Sequence, residues 1–163
     1  MLSTPAPQID PVAVNPFGED ALAMAVLVAR RAAGETYETI ADTIGITPEG
    51  AEAMVAVFAR MLRDALEAEG RFDRAEAEEL AAGSPVAGGD PEFFMAVIEA
   101  WLTGKSYTEL DAGMGWEPGT FAGRMAYFVV TIERDLRAHG CPVNPEAALS
   151  RAYAAEQQRQ RPN

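Results

Sequence analysis

Apolar and polar positions along this chain alternate with a helical period, and they do so twice. Phe94, Val97, Ile98 and Trp101 fall at i, i+3, i+4 and i+7, the spacing of a helix that buries one stripe. Met24, Leu27 and Val28 take the same places at an offset of 70, with Arg31 standing where Trp101 does. Laying residues 34–70 over residues 104–140 pairs Gly34 with Gly104, Tyr37 with Tyr107, Gly45 with Gly115, Pro48 with Pro118, Phe58 with Phe128, Leu66 with Leu136 and Gly70 with Gly140, without a gap. Apolar positions between them correspond as well: Ile40 with Leu110, Ile44 with Met114, Val55 with Met125, Leu62 with Ile132. A repeat that keeps a packing plan more faithfully than identities predicts two similar units, over residues 19–70 and 90–140.

Each unit reads as three helices. Asp20 and Asp90 stand as N-caps of the first helix, and Gly34 and Gly104 close it. A short second helix buries Tyr37, Ile40, Ala41 and Ile44 in one unit and Tyr107, Leu110, Asp111 and Met114 in the other, and Gly45 and Gly115 end it. Thr47-Pro48 and Glu117-Pro118 then start a long third helix, because proline in a first turn loses no hydrogen bond. Its apolar line is Met54, Val55, Phe58, Leu62 and Leu66 in one unit, and Phe121, Met125, Phe128, Ile132 and Leu136 in the other. The expected fold is all-α: two three-helix units followed by a C-terminal helix.

A short helix, a glycine turn and a longer helix make the helix-turn-helix plan. The strings from Gly34 to Pro48 and from Gly104 to Phe121 resemble the helix-turn-helix of the promoter-reading C-terminal domain of bacterial sigma factors and its relatives among response regulators. The resemblance spans about fifty residues per unit and implies a DNA-directed process. In that pattern a small apolar residue such as Ala41 packs between the two helices; Asp111 departs from it, so either the second unit is locally rearranged or Asp111 lies at its rim.

Charge turns the picture away from direct DNA binding. With 13 basic and 25 acidic residues the net charge is -12, whereas DNA affinity comes largely from Lys and Arg displacing phosphate counterions. Residues 19–70 hold four Arg against ten acids and residues 90–140 four bases against eight, giving -6 and -4. Glu49 and Glu52 open the groove-reading helix of the first unit, where neighbouring phosphates repel carboxylates. The alternative DNA reading rests on Lys105, Thr120 and Arg124 in the second unit, with Arg159 and Arg161 in the only net positive segment, residues 141–163.

The ends and the middle add boundaries. Residues 1–18, with Pro5, Pro7, Pro11 and Pro16, read as a flexible lead rather than a signal or anchor. Residues 71–89 form an acidic linker in which Arg71 to Ala82 makes a short helix, Glu76, Glu78 and Glu79 being a solvated face, before Gly83-Ser84-Pro85 and Gly88-Gly89 break it. Asn144-Pro145-Glu146 starts the C-terminal helix, running to about Gln158 and packing back on the acidic units. One His and one Cys, His139 and Cys141, exclude a zinc framework and an internal disulfide and imply a reducing cytoplasm. Nothing around that pair builds a nucleophile, so no enzyme activity, metal or cofactor is expected.

The second unit is richer in aromatics, with Phe93 and Tyr127 off the main stripes. Thr120, Arg124 and Tyr127 share one face of the third helix, with Trp116 in the turn before it, a mixed cationic and aromatic patch suited to a protein partner. The sequence therefore points to an acidic regulatory protein that contacts RNA polymerase, a sigma factor, an activator or another DNA-binding protein.

Overall fold

The computed structural model describes residues 21–85 and 89–161. Its regular elements there are helices: α1 (Ala21–Ala32), α2 (Tyr37–Ile44), α3 (Pro48–Ala68), α4 (Arg74–Ala81), α5 (Pro91–Trp101), α6 (Tyr107–Met114), α7 (Thr120–Ala138) and α8 (Pro145–Gln160). The chain is all-α. The lead over residues 1–18, the cap expected of Asp20 and Gly88 lie outside the described residues.

The caps are built from the residues that favour them. The Thr36 and Thr47 hydroxyls accept from the amides of Thr39 and Gly50, and the Asp90, Asp73 and Asn144 side chains accept from Phe93, Glu76 and Ala147. Ser106 and Glu109 close a reciprocal capping box, which holds the Glu109 carboxyl below its usual range. Gly45 and Gly115 end α2 and α6 at φ 77° and 71°, a left-handed conformation that costs other residues energy.

The start of α7 departs from expectation. Glu117-Pro118 does not open this helix; it begins at Thr120, behind Gly119 at φ 92°, which has no side chain to cap it. Asp111 supplies the cap from α6. Its Oδ2 accepts from the Gly119 amide at 2.8 Å and its Oδ1 from the Phe121 amide at 2.6 Å. Asp111 is therefore buried, 4% exposed, rather than at a rim. A carboxylate facing unpaired amides at a helix N-terminus satisfies them and meets the positive end of the helix dipole. The expected buried faces also shift at their ends: Ile44 is exposed and Met114 and Met54 are half-buried.

α3 and α7 pack against each other at the centre, and α1 packs on α5. Phe94 of α5 joins the long helices, its ring 5.0 Å from Phe128 and 6.3 Å from Phe58, both edge-on. The last helix of each half crosses over: α4, which follows α3, packs on α7, and α8, which follows α7, packs on α3. Residues 125–133 of α7 and 55–59 of α3 are buried without interruption, so these stretches need neighbours on every side. The acidic linker helix is accordingly tied down. Arg74 pairs with buried Glu133 of α7 at 3.2 Å, and Arg134 donates to the carbonyl oxygen of Ala81 and to Glu78. Glu78, expected on a solvated face, is held below its usual range by Arg134 and Arg74.

Two tyrosines at the offset of 70 seat the short helices differently. The Tyr37 hydroxyl donates to Asp135 Oδ2 at 2.9 Å, Arg31 donates to both oxygens of that carboxylate at 3.0 and 3.1 Å, and the His139 ring lies edge-on 5.4 Å away. Tyr107 instead lies 5.8 Å from Phe121 with the Arg71 guanidinium over its ring, and its hydroxyl, like the Trp101 indole N–H, is buried without a hydrogen-bond partner.

Candidate functional site

The residues expected to form a partner face on α7 are split by the fold. Tyr127 is buried, 8% exposed, beside Phe128. It does not share an accessible face with Arg124, which lies exposed beside Glu76 and Leu80 of α4. Trp116 is half-buried, its ring 6.1 Å from Phe93 and 6.2 Å from Phe121, so it and Phe93 help close the aromatic core. Thr120 and Arg124 remain accessible, and the Arg124 guanidinium lies 5.6 Å over the Phe93 ring.

Thr120 and Arg124 line a groove. Together with Gly119, Gly123 and Pro118 they form one wall, and Glu76 and Leu80 of α4 form the other, enclosing about 480 Å³. Leu80 is 54% exposed there. The lining is mixed, with one cation, one carboxylate and one leucine.

A second groove of about 480 Å³ occupies the corresponding place in the other half. Gly50, Ala53 and Met54 of α3 stand at the offset of 70 from Thr120, Gly123 and Arg124, with Ile46 and Thr47 of the preceding turn. Leu149, Ala152, Tyr153 and Glu156 of α8 make the opposite wall. The character is reversed: this groove is almost wholly apolar, because Met54 replaces Arg124 and α8 contributes Leu149 and Tyr153. Sequence reasoning missed it. The available signal was Leu149 and Tyr153 at i and i+4 on a helix otherwise rich in Gln, Arg and alanine.

One ion pair ties α8 to α3, and two of the three arginines of the basic tail are committed to bonds within the protein. Arg151 pairs with Glu52, which is only 7% exposed. Arg159 donates to the carbonyl oxygen of Gly45 and pairs with Glu156 at 2.8 Å, holding the Glu156 carboxyl below its usual range. Of the cations expected for a DNA contact, Lys105 and Arg161 are exposed and Arg159 is committed to these bonds.

His139 and Cys141 do not face each other as a nucleophile and its base. His139 Nε2 lies 2.6 Å from an Arg31 nitrogen. Cys141 is buried, its Sγ donating to the Pro142 carbonyl oxygen, and burial pushes the thiol up to about 11. Among the described residues no helix is long and apolar enough to cross a membrane. Compared with known proteins, the chain matches no family model, no curated protein and no solved structure.

Proposed function

We propose that this protein is an acidic regulator of transcription or another DNA-directed process, acting by protein contact on a scaffold that resembles the promoter-reading domain of sigma factors. The observation that carries the reading concerns the two helices at the groove-reading position. α3 and α7 pack against each other, and each is overlaid by a further helix, α8 on α3 and α4 on α7. A helix overlaid by protein along most of its length leaves only its first turns accessible and cannot lie along a major groove. The carboxylate expected to repel phosphates at the start of α3, Glu52, is buried under Arg151.

Net charge supports the same reading, since -12 opposes any polyanion while favouring encounter with basic protein surfaces. The partner class is a component of the transcription machinery or another DNA-binding protein, reached in a cytoplasmic setting without a cofactor. Capture of the tagged full chain from its native cells tests this. Retention of RNA polymerase, a sigma factor or a DNA-bound regulator after nuclease treatment is the expected result. A nanomolar footprint of the purified chain on an operator, weakening steeply with salt, overturns it and returns Lys105, Thr120, Arg124, Arg159 and Arg161 to a DNA surface.

A further inference from the structure

The apolar groove between α3 and α8 has an exposed wall and an acidic rim. Tyr153 is 68% and Leu149 36% exposed, a large apolar area for a helix whose other exposed positions are polar or alanine. Helical spacing aligns Glu146, Leu149, Tyr153 and Glu156 on one face of α8, so carboxylates bracket the two apolar side chains. Glu49 stands one turn before Ala53 on the facing helix. Among the described residues neither Glu49 nor Glu146 makes an ion pair within 4.0 Å, although Glu49 lies within the field of Arg151; Arg151 and Arg159 are engaged with Glu52 and Glu156. The floor is made of small residues, Gly50, Ala53 and Ala152, which lets an incoming helix approach closely, and Met54 adds a side chain that adapts its shape.

We propose that this groove docks a basic amphipathic helix of a partner protein, its apolar stripe seated between Met54, Leu149 and Tyr153 and its Lys or Arg residues reaching Glu146, Glu49 and Glu156. Charge complementarity selects the occupant: an acidic helix of the same apolar pattern meets the carboxylates of Glu49, Glu146 and Glu156 at the rim, and a second copy of this chain brings a net charge of -12 to the same acidic edge. The proposal rests on the protein-contact reading and names the chemistry of the contact. It places the contact on α8 and α3, away from Arg124.

The test uses the full chain and three synthetic peptides: one of leucine and lysine with its leucines on one helical face, one of leucine and glutamate with the same stripe, and one with the lysine peptide's composition scrambled. Fluorescence anisotropy is expected to show the striped lysine peptide binding at least about tenfold more tightly than the other two. The variant Leu149→Ala with Tyr153→Ala is expected to lose about tenfold or more of that affinity, and Met54→Arg, which copies the other groove, to do the same. Both variants are checked by circular dichroism; Tyr153 is exposed enough for its truncation alone to serve if the double variant unfolds. Equal binding of striped and scrambled peptides, or binding unchanged in the folded variants, overturns the proposal. So does a dimer, seen by sedimentation, that Tyr153→Ala dissociates, since the occupant is then a second copy. If the peptide results fail while nuclease-resistant capture of a transcription component persists, the groove assignment falls and the protein-contact reading stands.

Discussion

Tyr37 and Tyr107 occupy the same place in the repeat and are held by opposite means. Around Tyr37 the neighbours are Arg31, Asp135 and His139, and every polar group of the tyrosine and the carboxylate is used. At the offset of 70, Trp101 replaces Arg31, Ala65 stands in place of Asp135 and Glu69 in place of His139. The second seat therefore gains a fully buried indole and loses the carboxylate at the place of Asp135, and the Tyr107 hydroxyl is left without a hydrogen-bond partner. One seat relies on directional bonds that fix geometry, the other on burial that tolerates an unpaired group. A packing plan can thus be kept while the forces that carry it are exchanged.

Truncating the indole tests the apolar seat most severely. Trp101→Ala removes a side chain with no exposure, and chemical denaturation is expected to show a loss of about 3 to 5 kcal/mol. A loss under about 1 kcal/mol contradicts the claim that burial carries this seat. At the polar seat, Asp135→Ala leaves Arg31 and the Tyr37 hydroxyl without that carboxylate, and the Arg31 and Asp135 side chains are largely shielded, at 18% and 14% exposure. The expected cost is about 2 to 3 kcal/mol, less than for a fully enclosed pair.

Removing only the hydroxyls gives the sharpest contrast. Tyr37→Phe loses a bond to a carboxylate and is expected to cost about 1 to 2 kcal/mol, whereas Tyr107→Phe removes an unsatisfied group and is expected to be neutral or slightly stabilising. Equal effects in urea titrations erase the difference between the seats.

The smallest effect concerns alkaline pH. Burial pushes the Tyr107 hydroxyl from 10.0 up to about 12 and the Cys141 thiol from 9.0 up to about 11, and raises Tyr37 as well. Groups whose folded values are raised favour the protonated, folded state. Their contribution is complete below the unfolded values near 9 and 10 and is lost as pH climbs through the folded ones. Stability is expected to fall between pH 9 and 12, and adding Cys141→Ala to Tyr107→Phe to make that limb shallower; an unchanged slope removes these groups as its cause.

Most helices were legible because their signals are local: the stripe through Phe94, Val97, Ile98 and Trp101, the caps at Thr47 and Asn144, the glycines at 45 and 115. What escaped was set by contacts distant in sequence or space. Asp111 caps α7 from another helix, so no string around Gly119 announces it. Tyr127 lies off the stripe of α7 yet is buried, because a helical wheel shows which side is apolar and not what covers the other; the unbroken run from Met125 to Val130 was the warning that both sides are covered. The groove of Met54, Leu149 and Tyr153 joins two helices nearly a hundred residues apart, and only their packing reveals it.

The crossing of α4 onto α7 and of α8 onto α3 means that neither half carries its own lid. A chain ended after residue 81 leaves α4 with no surface to sit on, and a piece begun at residue 90 strands α8 in the same way. A chain nicked between residues 82 and 90 is different: each fragment still holds the helix the other requires, as in a pair of subunits that exchange arms. The covalent link there supplies proximity, turning what is otherwise a bimolecular association into a folding step whose outcome is independent of protein concentration.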